Sequence, residues 1–210
     1  MTAAFRNSYS GPTDAGEGLC TARLRLRRFT PNDLPLLDRL NSDIEVMRYL
    51  GGTATLDATR VVLHDRILRY YDEHPGLGVW ASLLRESQEC IGFHLLNHVQ
   101  GETLIQVGYR LFPQFWGQGY ATEMSLALLH YGFAHKRLPT LTANAHLDNH
   151  ASQRVLLKCG LRRKGERTFA HPAYAAYANV AYFERDAAGW LAEYDATNNK
   201  ISAEHRVGIR

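Results

Sequence analysis

The chain has 210 residues, 45% of them hydrophobic and 21% charged, with 24 Lys and Arg against 21 Asp and Glu for a net charge of +3. That length suits one domain with a sizeable core, and a charge balance this mild does not call for nucleic acid. The three cysteines, Cys20, Cys90 and Cys159, form no C-x-x-C pair. They argue against a disulfide framework or zinc knuckle and fit a reducing cytoplasm, and no run suits a signal peptide or a membrane span.

Residues 1–20 are small, polar and Gly-rich and read as a flexible terminus, 21–195 as one domain and 196–210 as a polar tail. LCTARLRLRRF alternates apolar and basic residues, the period of a half-buried strand. Its Arg23, Arg25, Arg27 and Arg28 read first as a solvated face and second as a phosphate contact. Thr30–Pro31 with Asp33 starts a helix, and Leu34, Leu37, Leu40, Ile44 and Met47 carry its apolar stripe to about Leu50. A second helix is expected from Asp57 to Tyr71.

GVWASLL (78–84), CIGFHLL (90–96) and TLIQVGYRLF (103–112) are three strands with short polar links, hence an antiparallel meander. A helix from about Gly119 to His135, the strand LPTLTANAHL, a short helix from Asn149 to Cys159, and strands near RRKGERTFA and NVAYFERD complete the order β-α-α-β-β-β-α-β-α-β-β.

Between the meander and its helix stands FWGQGYATE (115–123). Glycines at a helix mouth cost about 1 kcal/mol each relative to alanine, so Gly117 and Gly119 require a reason. One is a tight turn with nothing bound. The other is an anion site, where free N–H groups converge at the positive end of a helix dipole. A Walker loop fails because no lysine follows. A dinucleotide fingerprint is weak because position 122 is Thr and the preceding strand sits in a meander.

From TLIQVGYRLF through WGQGYATE to NHASQRVLLKCGL the chain resembles the GNAT superfamily of acetyl-CoA-dependent N-acetyltransferases, over roughly residues 21–192. It is most similar to the RimJ/RimL-type branch, where W-G-x-G-Y-A-T-E is the usual form of the Q/R-x-x-G-x-G/A loop, met here by Trp116, Gly119 and Ala121. The resemblance implies an α/β fold whose mixed, mostly antiparallel sheet splays between its fourth and fifth strands, with helices on both faces. A bulge at Gly108 to Phe112, ended by Pro113, would open that splay.

It also implies that acetyl-CoA is the cosubstrate. Its pyrophosphate would meet the N–H groups of Gly117, Gln118, Gly119, Tyr120, Ala121 and Thr122 without requiring an arginine, and its pantetheine arm would meet Asn149, which by itself reads as the N-cap of its helix. The N–H near Leu111 would polarise the thioester and Ser152 would protonate the departing thiolate. Glu123 would have to point away from the phosphate. The glutamate that relatives carry on the fourth strand is Gln106 here, which leaves His94, Glu102 or a water chain as the base, while His94 also reads as a half-buried strand residue with a satisfied hydrogen bond.

His146 and His150 have metal-ligand spacing but straddle a strand end and a helix start, so no metal site is expected. The acceptor is a primary amine, neutral or singly charged, walled by the segment Asp38 to Tyr49 and by the loop His171 to Asn179 with Tyr174 and Tyr177. A non-catalytic acyl-CoA sensor, an aminoglycoside or polyamine acetyltransferase and an RNA-bound module are the rival readings. No membrane partner is expected, and oligomeric state, whether monomer or homodimer, is not legible.

Overall fold

The computed structural model describes residues 18–171, 179–194 and 196. Seven strands form one sheet in the order β1-β2-β3-β4-β5-β7-β6. β1 (Leu24–Arg28) buries Leu24 and Leu26 and turns Arg25 and Arg27 outward, as the alternation predicts. β2 (Gly78–Leu84), β3 (Cys90–His98) and β4 (Ile105–Leu111) continue it as the antiparallel meander. β5 (Thr140–His146) joins β4 in parallel, and β7 (Val180–Asp186) then β6 (Arg162–Arg167) complete the sheet in antiparallel fashion. The expected mixed, mostly antiparallel sheet is therefore present.

Four helical expectations hold in outline and shift in detail. The first helix is cut in two, α1 (Leu34–Ser42) and α2 (Ile44–Met47), because Asp43 is extended at ψ 117°. Its carboxylate accepts from Glu45 N at 2.9 Å and Val46 N at 3.2 Å, so it caps a new helix and interrupts the stripe that points toward Leu50. The second runs as α3 (Leu56–Val61), a π-helical stretch (Val62–Leu68) and α4 (Arg69–Glu73). α5 (Tyr120–His130) extends through a π turn to His135, and α6 (His150–Lys158) follows β5. A helix over 187–194, absent from the sequence reading, packs Trp190 against the rest. Buried Arg185 of β7 holds Glu193 of that helix at 2.7 Å.

The core lies on both faces of the sheet. α5 contributes Met124, Ala127, Leu128 and Leu129, all at or below 1% exposure, so each Leu adds about 1.5–3 kcal/mol of burial and pins this helix to β3 and β4. Leu37 and Leu40 of α1 and Leu63 and Ile67 of the second helix join the same apolar cluster. The chain is engaged before the expected boundary at residue 21: Leu19 is fully buried, and its carbonyl accepts from Leu26 N at 2.9 Å. Among the described residues no helix is long and apolar enough to cross a membrane.

One expectation about β4 is corrected. Its register with β3 is unbroken from Ile105↔His98 to Leu111↔Gly92, and Phe112 N donates to Ile91 O at 3.0 Å. No bulge lies at Gly108–Phe112. The irregularities fall instead at Ser82/Leu83 of β2 and Arg163/Gly165 of β6. The opening on the other side of β4 is nonetheless present, because β4 and β5 pair only at Gln106↔Thr142. The splay comes from divergence of two parallel strands after one contact, with β4 held straight by β3.

Candidate active site

Where β4 leaves β5, its far edge is bare. In an antiparallel ladder, alternate residues point their N–H groups to opposite sides. Phe112 N is bonded to β3, so the N–H groups of Leu111 and Tyr109 face the open side toward β5. A short 3₁₀ turn (Pro113–Phe115) then reverses the chain. Phe115 is buried, and the indole of Trp116 donates from Nε1 to the Leu111 carbonyl at 2.8 Å, which ties the turn to the end of the strand.

Gly117 and Gly119 both sit in the left-handed region, at φ 74° and 84°. An L side chain there costs roughly 1–2 kcal/mol, which answers why two glycines precede the helix. Gly119 caps α5 without a side chain, so the first N–H groups of the helix are left for water or a ligand. Glu123 points away, as required: Oε1 accepts from Thr21 Oγ1 at 2.6 Å and Arg23 N at 2.9 Å, and Oε2 accepts from Arg23 Nε at 2.6 Å.

Across the opening, Asn149 caps α6 and accepts Ser152 N at 3.0 Å on Oδ1. The Tyr109 hydroxyl donates to Ser152 Oγ at 3.3 Å. Burial pushes the Tyr109 phenol up to about 12, so it keeps its proton at any working pH.

These parts line one cavity of about 790 Å³. Leu111, Trp116, Gly117, Gly119 and Tyr120 stand on its wall, as do Ala121, Thr122, Asn149 and Ser152. Gln118 is the exception. It is exposed, its side chain donates to Gln114 O at 2.8 Å, and its carbonyl accepts from Arg23 Nη1 at 3.0 Å. The cavity thus brings together a bare strand edge, a left-handed glycine turn feeding a helix, and Ser152.

A model of the GNAT acetyltransferase domain matches residues 23–162. The chain belongs to the GNAT acetyltransferase family. The uncharacterized N-acetyltransferase YoaA of Bacillus subtilis (strain 168) is 32% identical over 149 residues, which is 69% of this chain and 82% of the relative. Among solved structures, the acetyltransferase from Agrobacterium tumefaciens str. C58 matches with a TM-score of 0.69 at 25% identity, over 86% of this chain and 98% of its own. The spermidine N-acetyltransferase of Vibrio cholerae, solved with CoA and spermine, shares the fold at TM-score 0.64 and 16% identity, over 81% and 99% of the two chains. GNAT acetyltransferases use acetyl-CoA, and this chain is an N-acetyltransferase of that type.

Within this GNAT enzyme the candidate bases separate clearly. His94 is fully buried and off the cavity wall. Its Nδ1 pairs with Ser82 Oγ at 2.7 Å, and its Nε2 is buried with no partner at hydrogen-bond geometry. Burial pushes the ring down to about 3, so it is neutral and a weak base. Glu102 is paired with Arg167 and also lies off the wall. Gln106 sits at the point of the V, its Nε2 3.3 Å from Asn97 Oδ1 and its Oε1 3.5 Å from Asn144 Nδ2.

The sequence reading missed several wall residues. His146, at the end of β5, stacks on Tyr49 at 5.4 Å and accepts Asp148 N on Nδ1 at 3.2 Å. The same Nδ1 lies 3.8 Å from Asp148 Oδ2, so Asp148 holds the ring from two sides. Among the described residues no group of three or more His, Cys, Asp or Glu gathers to hold a metal. Arg110 joins the wall with its guanidinium 5.2 Å over Phe93 and Nη1 on Asn41 Oδ1. The acids on the wall, Glu45 and Asp148, are exposed. Of the expected acceptor walls, Tyr49 and Glu45 are in place; Asp43 is spent on capping, and Tyr174 and Tyr177 lie outside the described residues. Arg23 was legible only as one of four alternating arginines. Its partner Glu123 is 100 residues away, and no local signal links them.

Proposed function

We propose that the protein transfers acetyl from acetyl-CoA to the α-amino group of a peptide or amino-acid-like acceptor, by direct attack and without an acyl-enzyme. The observation that carries this is the single cavity joining the glycine turn, the bare edge of β4 and Ser152. The pyrophosphate would accept from the N–H groups of the turn and the first turn of α5. The pantetheine amides would pair with the open edge of β4, and Asn149, its Oδ1 spent on the cap, would offer its amide N–H₂. The N–H of Leu111 would polarise the thioester carbonyl. Ser152 would protonate the leaving thiolate, and because Tyr109 fills a lone pair on Oγ, the serine's own proton is free to turn toward the sulfur.

The missing base supports the choice of acceptor. With Gln106 on β4, His94 buried and His146 Nδ1 engaged by Asp148, the ammonium proton leaves to water, and the acceptor must supply its own free base. At pH 7 a peptide α-amine of pKa about 7.7–8.0 is roughly a tenth free base, whereas a lysine-like amine of about 10.4 is below a thousandth. Among the described residues the wall also lacks the carboxylate cluster that a polycation needs: Glu45 and Asp148 stand against Arg48, Arg110, Arg154 and Lys158. An α-amine acceptor agrees with the RimJ/RimL-type reading of W-G-x-G-Y-A-T-E.

The test is thiol release from acetyl-CoA over a panel of short peptides, free amino acids, spermidine and kanamycin, from pH 6 to 9. The expected result is turnover of the α-amines, with kcat/KM rising with pH to a plateau near the acceptor's own pKa. A protein that binds acetyl-CoA and releases no thiol with any amine would be a sensor and not an enzyme.

A further inference from the structure

The glycine turn is gripped from behind by a distant part of the chain. Two left-handed glycines are the least self-restrained way to build a turn, since each visits many other conformations at little cost. Between them stands Gln118, and its carbonyl is the atom that Arg23 Nη1 holds at 3.0 Å. The peptide unit is planar and trans, so fixing the Gln118 carbonyl aims the N–H of Gly119 the opposite way. Gly119 is on the cavity wall and Arg23 is not.

Arg23 is itself fixed. Its Nε and main-chain N both donate to Glu123, at 2.6 and 2.9 Å, and its guanidinium lies 4.4 Å over the Tyr120 ring. Thr21, fully buried, adds a third donor to the same carboxylate at 2.6 Å. The segment behind is anchored by Leu19 in the core and by Arg85 Nη1 on the Thr21 carbonyl at 2.9 Å. The Glu123 side chain is 18% exposed and that of Arg23 47%, against 46% and 72% for Glu73 and Arg69 of a solvated pair. Three charge-assisted bonds converging on one largely shielded carboxylate hold geometry; isolated solvated pairs contribute little. The latch also neutralises a carboxylate in the first turn of α5 that would otherwise repel a phosphate.

We propose that Arg23, through Gln118 and Glu123, is a positioning residue that holds the turn open for the pyrophosphate of acetyl-CoA, a role that rests on the reading above. Arg23 touches no substrate. It sets the direction of the Gly119 N–H and keeps Glu123 turned away. Removing it leaves the cavity, Ser152 and the edge of β4 in place and disorders one end of the cosubstrate site.

The experiment compares wild type, Arg23→Met, Glu123→Gln and the milder Arg23→Lys by calorimetry, using acetyl-CoA and S-acetylpantetheine, which lacks the pyrophosphate. Arg23→Met and Glu123→Gln should raise the Kd for acetyl-CoA roughly tenfold. They should leave the Kd for S-acetylpantetheine and the KM for the amine unchanged. Arg23→Lys keeps the charge but loses the fork, and should show the same pattern at smaller size even if Arg23→Met does not fold. Folded variants that bind acetyl-CoA as wild type does, or that lose both thioesters in proportion, overturn the latch while leaving the acetyltransferase reading intact. Wild-type protein that binds no acetyl-CoA overturns both.

Discussion

Gly119→Val tests the turn most directly. Gly119 is held at φ +84°, and a Cβ built there would meet only the tip of Arg23 Nη2 at 3.4 Å. The obstacle is conformational and not steric crowding. A left-handed L residue costs roughly 1–2 kcal/mol, more when β-branched, against a domain stability of about 5–15 kcal/mol. The variant should therefore fold, with Tm lower by a few degrees. To escape the strain the turn must leave the left-handed region, which swings the neighbouring N–H groups out of convergence. A hydrogen bond to a charged oxygen contributes about 1.5–3 kcal/mol, so losing one raises Kd by roughly 10- to 150-fold. Calorimetry with acetyl-CoA, alongside near-UV dichroism to verify folding, measures both. Gly119→Ala should lie between wild type and valine. A folded Gly119→Val protein with wild-type affinity would refute the assignment of this turn to the pyrophosphate.

Ser152→Ala should lower kcat about tenfold or more with little change in acetyl-CoA affinity, and Tyr109→Phe should move kcat in the same direction by less; a loss of affinity alone would place Ser152 in binding. His94 is neutral in the fold, its pKa about 3 against the usual 6.5, so the unfolded chain binds the extra proton between those values. Its contribution is full above pH 6.5 and lost as pH falls toward 3; urea midpoints from pH 7 to 4 should decline more steeply for wild type than for His94→Gln, and parallel declines would contradict the burial argument. For the acceptor, kcat/KM for short peptides beginning with Ala or Ser should exceed that for spermidine and kanamycin, and a clear preference for the polycations would reverse the reading of the wall charges.

Sequence by itself determined whatever depends on local periodicity and local backbone demands. The alternation of LRLRR set the buried face of β1, the short polar links set the meander, and Gly117 and Gly119 announced a turn that only left-handed residues make cheaply. Asn149 followed by Ser152 was readable because a cap and the residue it caps are three apart. The break at Asp43 was written in a capping residue, but the apolar stripe running across it concealed the signal.

Tertiary structure alone decided what depends on residues far apart in the chain. The splay of β4 from β5 is set by a single parallel contact, Gln106↔Thr142, and by the unbroken register with β3, neither of which leaves a local pattern. The helix over 187–194 is held by Trp190 in the core and by a buried arginine meeting Glu193. His94 could be read from sequence as a strand residue or as a base, and only its burial decides against the base. Arg23 looked like one more solvated arginine until the fold brought Glu123 and the Gln118 carbonyl to it. Hydrogen bonds and desolvation act over a few ångströms in space whatever the separation along the chain, so these assignments exist only once the sheet has brought their partners together.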